Sequence, residues 1–216
     1  TIASAGFNLQ STIDLDLQAY GELLMQNKLG SLVAIEPSTG EVLALVSGPS
    51  YDPNLLSGPD YSKNYTKLRK DENKPLYNRA IQSKYPPGSI FKIAQSLVLM
   101  QNKIIRPYQK ISVTVRPNRM GDHAPSGMYD ITRAVQLSSN TFYLNLMQRM
   151  IEQKTNKSQF IDARYGLAKW TKNMNQLGLG VKLGIDLPSE SSGLIPSVSF
   201  YDNIVGKNRW KYSNFR

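Results

Sequence analysis

The chain has 216 residues, a formal charge of +10 and no cysteine. That length suits one large domain or two small ones. An apolar content of 40% is that of a globular chain rather than a disordered one. Disulfides and thiolate metal sites are excluded, and the single histidine, His123, speaks against a His-based zinc site or a Ser-His-Asp triad. No apolar run is long enough to span a membrane, and no signal-peptide pattern opens the chain. The basic residues are dispersed, with local density only around 63–70 and 207–211, and no nucleic-acid-binding pattern surrounds them. The plain reading is a solvated basic face, with no nucleic-acid partner. Attraction to an anionic polymer or membrane surface is the other reading.

In chain order, Ser11-Thr12-Ile13-Asp14-Leu15-Asp16 precedes Leu17, Tyr20, Leu23 and Leu24 at helical spacing. A helix is therefore expected to open near Asp14–Asp16. The runs 31–35 and 41–46 flank Glu36-Pro37-Ser38-Thr39-Gly40 and predict a β-hairpin. Residues 48–79, with four prolines, read as a long surface connection.

Tyr85-Pro86-Pro87-Gly88 forbids a regular element before Ser89, and the apolar run to Met100 predicts a helix opening at Ser89. Residues 103–129 look irregular, with a β-prone piece at 111–115. A second helical stretch opens at Asp130-Ile131-Thr132 and carries Ala134, Val135, Phe142, Leu144 and Met147. A third covers 160–177, ended by Gly178-Leu179-Gly180, and 188–196 is turn-rich. One hairpin followed by helices predicts an α+β domain whose sheet is incomplete.

Lys92 and Ser96 lie on the same helical face as Ser89. A lysine on so apolar a helix either snorkels from the core edge or serves chemistry. A serine hydroxyl needs a base, and a lysine whose pKa burial lowers can supply one. The helix start adds a favourable dipole for an oxyanion. Ser-x-x-Lys alone is a weak signal. Ser138-Ser139-Asn140 lies forty-nine residues beyond Ser89. Its hydroxyl and amide could reach one cleft, or they could simply cap a helix. Ser62-Lys63-Asn64 has the same pattern in a presumed loop and reads as a decoy.

Ser89-x-x-Lys92 followed by Ser138-x-Asn140 resembles the penicillin-binding protein transpeptidases and the serine β-lactamases. Several flanking segments resemble the class B penicillin-binding proteins, in the family's order. They are Thr12-Ile13-Asp14-Leu15-Asp16-Leu17-Gln18, Thr39-Gly40-Glu41-Val42-Leu43-Ala44, Tyr51-Asp52-Pro53-Asn54 and Gly184-Ile185-Asp186-Leu187-Pro188-Ser189-Glu190. Pro75-Leu76-Tyr77-Asn78-Arg79-Ala80-Ile81-Gln82, leading into Ser89, is most similar to the elongation-type members. The resemblance implies a transpeptidase fold of helical cluster and antiparallel sheet, spanning 1–216 as one partial domain.

It also implies roles. Ser89 would attack the D-Ala-D-Ala amide of a peptidoglycan stem peptide and Lys92 would be its base. Ser138 would relay the proton to the leaving amine, and Asn140 would hold the peptide amide. β-Lactam antibiotics would acylate the same serine. A glycan polymerase and elongation-complex proteins would be partners, and the parent would be anchored in the bacterial inner membrane with this domain periplasmic. The alternatives are a β-lactam-binding sensor domain and a serine β-lactamase.

The family's third motif, Lys-Thr/Ser-Gly, has no match; Lys154-Thr155-Asn156 and Lys157-Ser158-Gln159 lack the glycine. The expectation is a C-terminally truncated piece, impaired in acylation, whose hairpin has an unpaired edge or borrows a partner for it. Glu152-Gln153-Lys154-Thr155-Asn156 mimics the deacylating motif of some β-lactamases but follows Asn140 too closely. Some relatives hold zinc near the second motif through Asp, His and Cys. Asp122 and His123 sit suitably, but position 139 is serine, so neither a metal nor another cofactor is expected.

Overall fold

A computed structural model describes residues 6–115 and 121–214. They fall into two compact units, Thr1–Ser83 with Asp186–Ser191, and Lys84–Ile185 with Ser192–Arg216.

The first unit begins with helix α1 (Leu15–Leu24), capped by the Asp14 carboxylate, which accepts from the Leu17 amide at 3.0 Å. Strands β1 (Gly30–Ile35) and β2 (Val42–Gly48) form the expected hairpin, pairing Val33 with Leu45 and Leu32 with Val46. Gly21 lets α1 press onto it: a Cβ there would stand 2.9 Å from Val46 Cγ2. The outer edge of β2 is covered. Gln18 mimics a strand, its Oε1 accepting from Leu45 N at 2.8 Å and its Nε2 donating to Leu45 O at 3.1 Å. Thr12 and Asp14 donate to the carbonyls of Val42 and Leu43. The edge left over is that of β1, with which no third strand pairs among the described residues.

Residues 48–79 are not merely a connection. A 3-10 turn, Pro53–Leu56, leads into helix α2 (Tyr61–Lys70), whose first turn contains Ser62-Lys63-Asn64. No residue of α2 is buried, although Tyr61, Tyr65 and Leu68 recur at helical spacing along it. A short helix α3 (Arg79–Gln82) follows. The Arg79 guanidinium is buried and donates to the carbonyls of Asn73 at 2.6 Å and Lys74 at 3.2 Å. It thereby fixes the loop that carries the elongation-type segment.

The second unit is built on three mutually packed helices, α4 (Phe91–Gln101), α6 (Asn140–Ile151) and α7 (Gln159–Gln176). Its core holds Val98 and Leu99 of α4, Phe142, Leu146 and Met150 of α6, and Leu167, Trp170 and Met174 of α7. Gln95 ties all three together, accepting from Trp170 Nε1 at 2.8 Å and donating to Met147 Sδ at 3.3 Å. The expected helix at Ser89 starts as a 3-10 turn, Gly88–Ile90, and becomes α-helical at Phe91. The β-prone piece forms β3 (Ile111–Val113), paired with β4 (Gly127–Tyr129); within the irregular stretch, 116–120 lies outside the described residues.

The helical stretch expected from Asp130 is two helices, α5 (Ile131–Gln136) and α6, broken at Ser138. Helix α7 matches its expected span closely. Helix α8 (Val198–Val205) was not anticipated. Its signal was Ser197, which caps the Phe200 amide, followed by Val198, Tyr201 and Val205 at helical spacing; all three pack on the core.

Candidate active site

The break between α5 and α6 shapes the site. Ser139 N donates to Ala134 O and Ser138 N to Val135 O, both at 3.0 Å, the paired bonds of a Schellman turn. Its left-handed slot falls on Ser138, at φ 52°. Glycine is the usual occupant, so a serine there is a local cost of the kind that accompanies function. Beyond the turn, buried Ser139 caps α6 by accepting from the Phe142 amide, which places Asn140 in the first turn.

All four expected residues converge. Lys92 Nζ lies 3.2 Å from Ser89 Oγ, 2.9 Å from Ser138 Oγ, 2.6 Å from Ser138 O and 2.7 Å from Asn140 Oδ1. Ser138 Oγ is also 2.9 Å from Ser89 Oγ, which closes a triangle of two hydroxyls and an amine. The Asn140 amide orientation is fixed by its far end, where Nδ2 donates to Gly121 O at 2.7 Å. Two of the lysine's four neighbours, Ser138 O and Asn140 Oδ1, can only accept, whereas the hydroxyls can donate or accept. A neutral amine would spend its two protons on the acceptors and turn its lone pair to the hydroxyls. An ammonium would give its third proton to one of them. The cluster therefore accommodates both protonation states of the amine.

Burial pushes the Lys92 amine below the ordinary lysine range, while the Asp122 carboxylate pulls it back up. On the other side Lys92 lies 5.9 Å from the Tyr143 ring centroid. The Tyr143 hydroxyl bonds buried Ser96, which in turn donates to Lys92 O. Ser89 and Ser138 are exposed, and so is Ile90 beside them, at 79%.

The sequence reading missed Gly121 as the acceptor for Asn140 and Asp122 as a hydrogen-bond anchor. Asp122 is seventeen residues from Ser139, a distance at which no local spacing rule operates. The decoy and the near-match to the third motif both resolve as structure. Ser62-Lys63-Asn64 belongs to the other unit, where Asn64 donates to Leu55 O. The Lys154–Asn156 turn wraps the buried carboxylate of Asp162, which takes the amides of Lys154 and Thr155 at 2.8 and 2.9 Å. Glu152 stands at the far end of α6 from Asn140, about 18 Å along the helix.

Residues 30–213 match the penicillin binding protein transpeptidase domain. The chain belongs to that family. It is 34% identical over 200 residues to the peptidoglycan D,D-transpeptidase MrdA of Acinetobacter baumannii, covering 89% of this chain and 28% of that protein. The crystal structure of Pseudomonas aeruginosa PBP2 in complex with WCK 5153 superposes with a TM-score of 0.73 and 30% identity. That match covers 93% of this chain and 44% of the other. Penicillin-binding protein A from M. tuberculosis, as an imipenem acyl-enzyme complex, matches with a TM-score of 0.59 and 27% identity, over 78% of this chain and 40% of that one. The chain thus spans about a quarter to less than half of the length of these relatives. The transpeptidase fold of helices and antiparallel strands is the family's. Among the described residues, no helix is long and apolar enough to cross a membrane.

Proposed function

We propose that the chain is part of a serine D,D-transpeptidase that cross-links peptidoglycan stem peptides in cell-wall elongation, its two units together forming a partial transpeptidase domain. The observation that carries this is the closed triangle of Ser89 Oγ, Lys92 Nζ and Ser138 Oγ, in a chain related to peptidoglycan D,D-transpeptidases. Ser89 Oγ attacks the carbonyl carbon of the D-Ala-D-Ala amide while its proton passes to the free amine of Lys92. Ser138, within reach of both, returns that proton to the departing D-Ala nitrogen as the C–N bond breaks.

Asn140 holds the lysine through Oδ1. When substrate binds, its Nδ2 exchanges the Gly121 carbonyl for that of the stem peptide. The amine of a second stem then attacks the ester carbonyl and Lys92 takes its proton, which returns through Ser138 to Ser89 Oγ as the C–O bond breaks and the cross-link forms. β-Lactams acylate the same oxygen. The parent is an inner-membrane protein with this domain periplasmic, working with a glycan polymerase and elongation-complex proteins.

Labelling with fluorescent penicillin tests this reading. The full-length protein should be labelled at Ser89, and Ser89→Ala should not. Labelling that survives the substitution would sink the assignment. The same experiment separates the β-lactamase alternative, which would shed the label quickly. Glu152, the nearest mimic of a deacylating base, lies too far along α6 to activate water at Ser89. The sensor alternative would retain the label but form no cross-links with stem peptides.

A further inference from the structure

Asn140 can hold Lys92 only if the start of α6 is itself held, and the carboxylate that holds it lies outside both motifs. Asp122 Oδ2 accepts from Ser139 Oγ at 2.9 Å and from the Thr141 amide at 2.7 Å, the residues on either side of Asn140. Its Oδ1 accepts from Ala124 N at 3.1 Å, closing the loop in which the neighbouring carbonyl, Gly121 O, meets Asn140 Nδ2. One carboxylate therefore sets both the backbone that carries Asn140 and the acceptor that orients its amide.

This donor set does not fit the zinc ion that some relatives hold near the second motif. Three N–H and O–H donors occupy the carboxylate, and position 139 offers a hydroxyl already donating to it rather than a thiolate. We propose that Asp122 is a positioning residue for acyl transfer, fixing Asn140 and through it the Lys92 amine by hydrogen bonds alone, without a metal.

The carboxylate is suited to this. Burial pushes its pKa up, but the bonds from Thr141, Ala124 and Ser139 outweigh that and leave it at about 2, so it stays an acceptor throughout the neutral range. An acid at a helix N-terminus is also favoured by the helix dipole. The effect on Lys92 has a definite sign. Asp122 raises the lysine's pKa, so its removal lowers it. Among the described residues, the other titratable side chain facing the amine is Tyr143 of α6, whose phenol burial keeps protonated.

The proposal rests on the transpeptidase reading, and two measurements on the full-length protein keep them separable. The first is the acylation rate by fluorescent penicillin against pH, for the native protein, Asp122→Asn and Ser139→Ala, with and without a zinc chelator. A misplaced amine should slow Asp122→Asn about 10- to 100-fold and move its rising limb to lower pH. Ser139→Ala, which removes one of the bonds, should slow less, and the chelator should leave the native rate unchanged. The second is amide hydrogen exchange, which needs no catalysis: Asp122→Asn should speed exchange at 139–142 and leave α7 protected.

Native rates and an unmoved limb in Asp122→Asn would overturn the proposal, as would loss of native acylation on chelation. So would unchanged exchange at 139–142. Should Asp122→Asn fail to fold, Asp122→Glu, which keeps the charge but displaces the acceptor oxygens and leaves the Ser139 cap in place, decides through the same rate and exchange readouts. Should the native protein not be labelled while exchange rises as expected, the transpeptidase reading fails and the Asp122 anchor stands.

Discussion

The amine of Lys92 donates to the backbone carbonyl of Ser138 across 2.6 Å. A side chain forty-six residues earlier thus reads the backbone of a helix-ending turn. The left-handed conformation of Ser138, at φ 52°, turns its carbonyl and its hydroxyl to the same nitrogen. A regular helix running from α5 into α6 would direct that carbonyl along its own axis, to an amide four residues on.

Ser138 therefore couples stability and chemistry in opposite directions. Ser138→Gly removes the hydroxyl but relieves the left-handed strain, whereas Ser138→Ala removes the hydroxyl and keeps it. The glycine variant should be the more stable of the two by about 1 kcal/mol, since a Cβ in that region is disfavoured by that order. Both should lose the relay alike, with acylation slowed roughly 100-fold or more. Thermal unfolding and penicillin acylation measured on the pair check this. Equal melting temperatures would show that the turn carries no strain.

Much of this was legible locally. The Asp14 cap, the hairpin and α7 each announce themselves by cap, turn or 3.6-residue period. The motif serines, Lys92 and Asn140 could be picked out from spacing and family resemblance. What spacing could not supply was the break at Ser138. A Schellman turn normally advertises itself with glycine, and here a serine fills the slot. Helix α2 went unread for another reason: its short period of Tyr61, Tyr65 and Leu68 is set among polar residues in a stretch flanked by prolines and glycine. The Asp122 anchor was hidden for a third reason: it depends on a loop meeting a helix start, which only the tertiary fold determines.

Lys92 gives a pH dependence. Burial disfavours its charged form, so its folded pKa lies below the unfolded value of about 10.4. Folding is opposed wherever the amine is protonated. That cost is present in full below the folded pKa and fades as pH rises through it towards the unfolded value. Acylation should follow the free amine, rising with pH on a limb below the usual lysine range. Lys92→Arg keeps the charge but cannot deprotonate, and should be inert across the whole limb. An arginine variant with a native-like profile would remove Lys92 as the base.

Asp122 gives the opposite dependence. Its folded pKa of about 2 is depressed from the model-peptide value near 3.9. It therefore contributes stability that is fully present above the unfolded value and disappears as pH falls through the folded one. The melting-temperature gap between the native protein and Asp122→Asn should be constant above pH ~5 and close progressively towards pH ~2. A gap that does not change over that window would mean the carboxylate is not held by the bonds that Thr141, Ala124 and Ser139 donate.

Arg79 should behave as a structural cation. Its guanidinium is buried against the carbonyls of Asn73 and Lys74, and its own amide donates to Ser47 Oγ at 2.9 Å. Arg79→Ala leaves those carbonyls unpaired and should cost about 2–3 kcal/mol. Arg79→Lys restores the charge without the planar fork and should recover only part of the loss. Denaturant unfolding of both variants is the check. Complete recovery by lysine would mean that charge, rather than the paired carbonyl contacts, fixes the 71–78 loop.

Gly166 tests the packing on which the site ultimately stands. It lies on α7 where that helix meets the last turn of α6, and a Cβ there would stand 2.2 Å from Ile151 O and 2.6 Å from Ile151 Cα. These are backbone atoms, so no side-chain rotation relieves the clash and the helices must move apart. Gly166→Ala, a mild change in a free helix, should here cost several kcal/mol, on the order of 3 or more. Because α6 carries Asn140 at its other end, the displacement should also slow acylation in the fraction that remains folded. Unfolding and acylation measured on the same preparation separate the two effects. A stable variant with native rates would show that the contact between α6 and α7 is looser than this geometry requires.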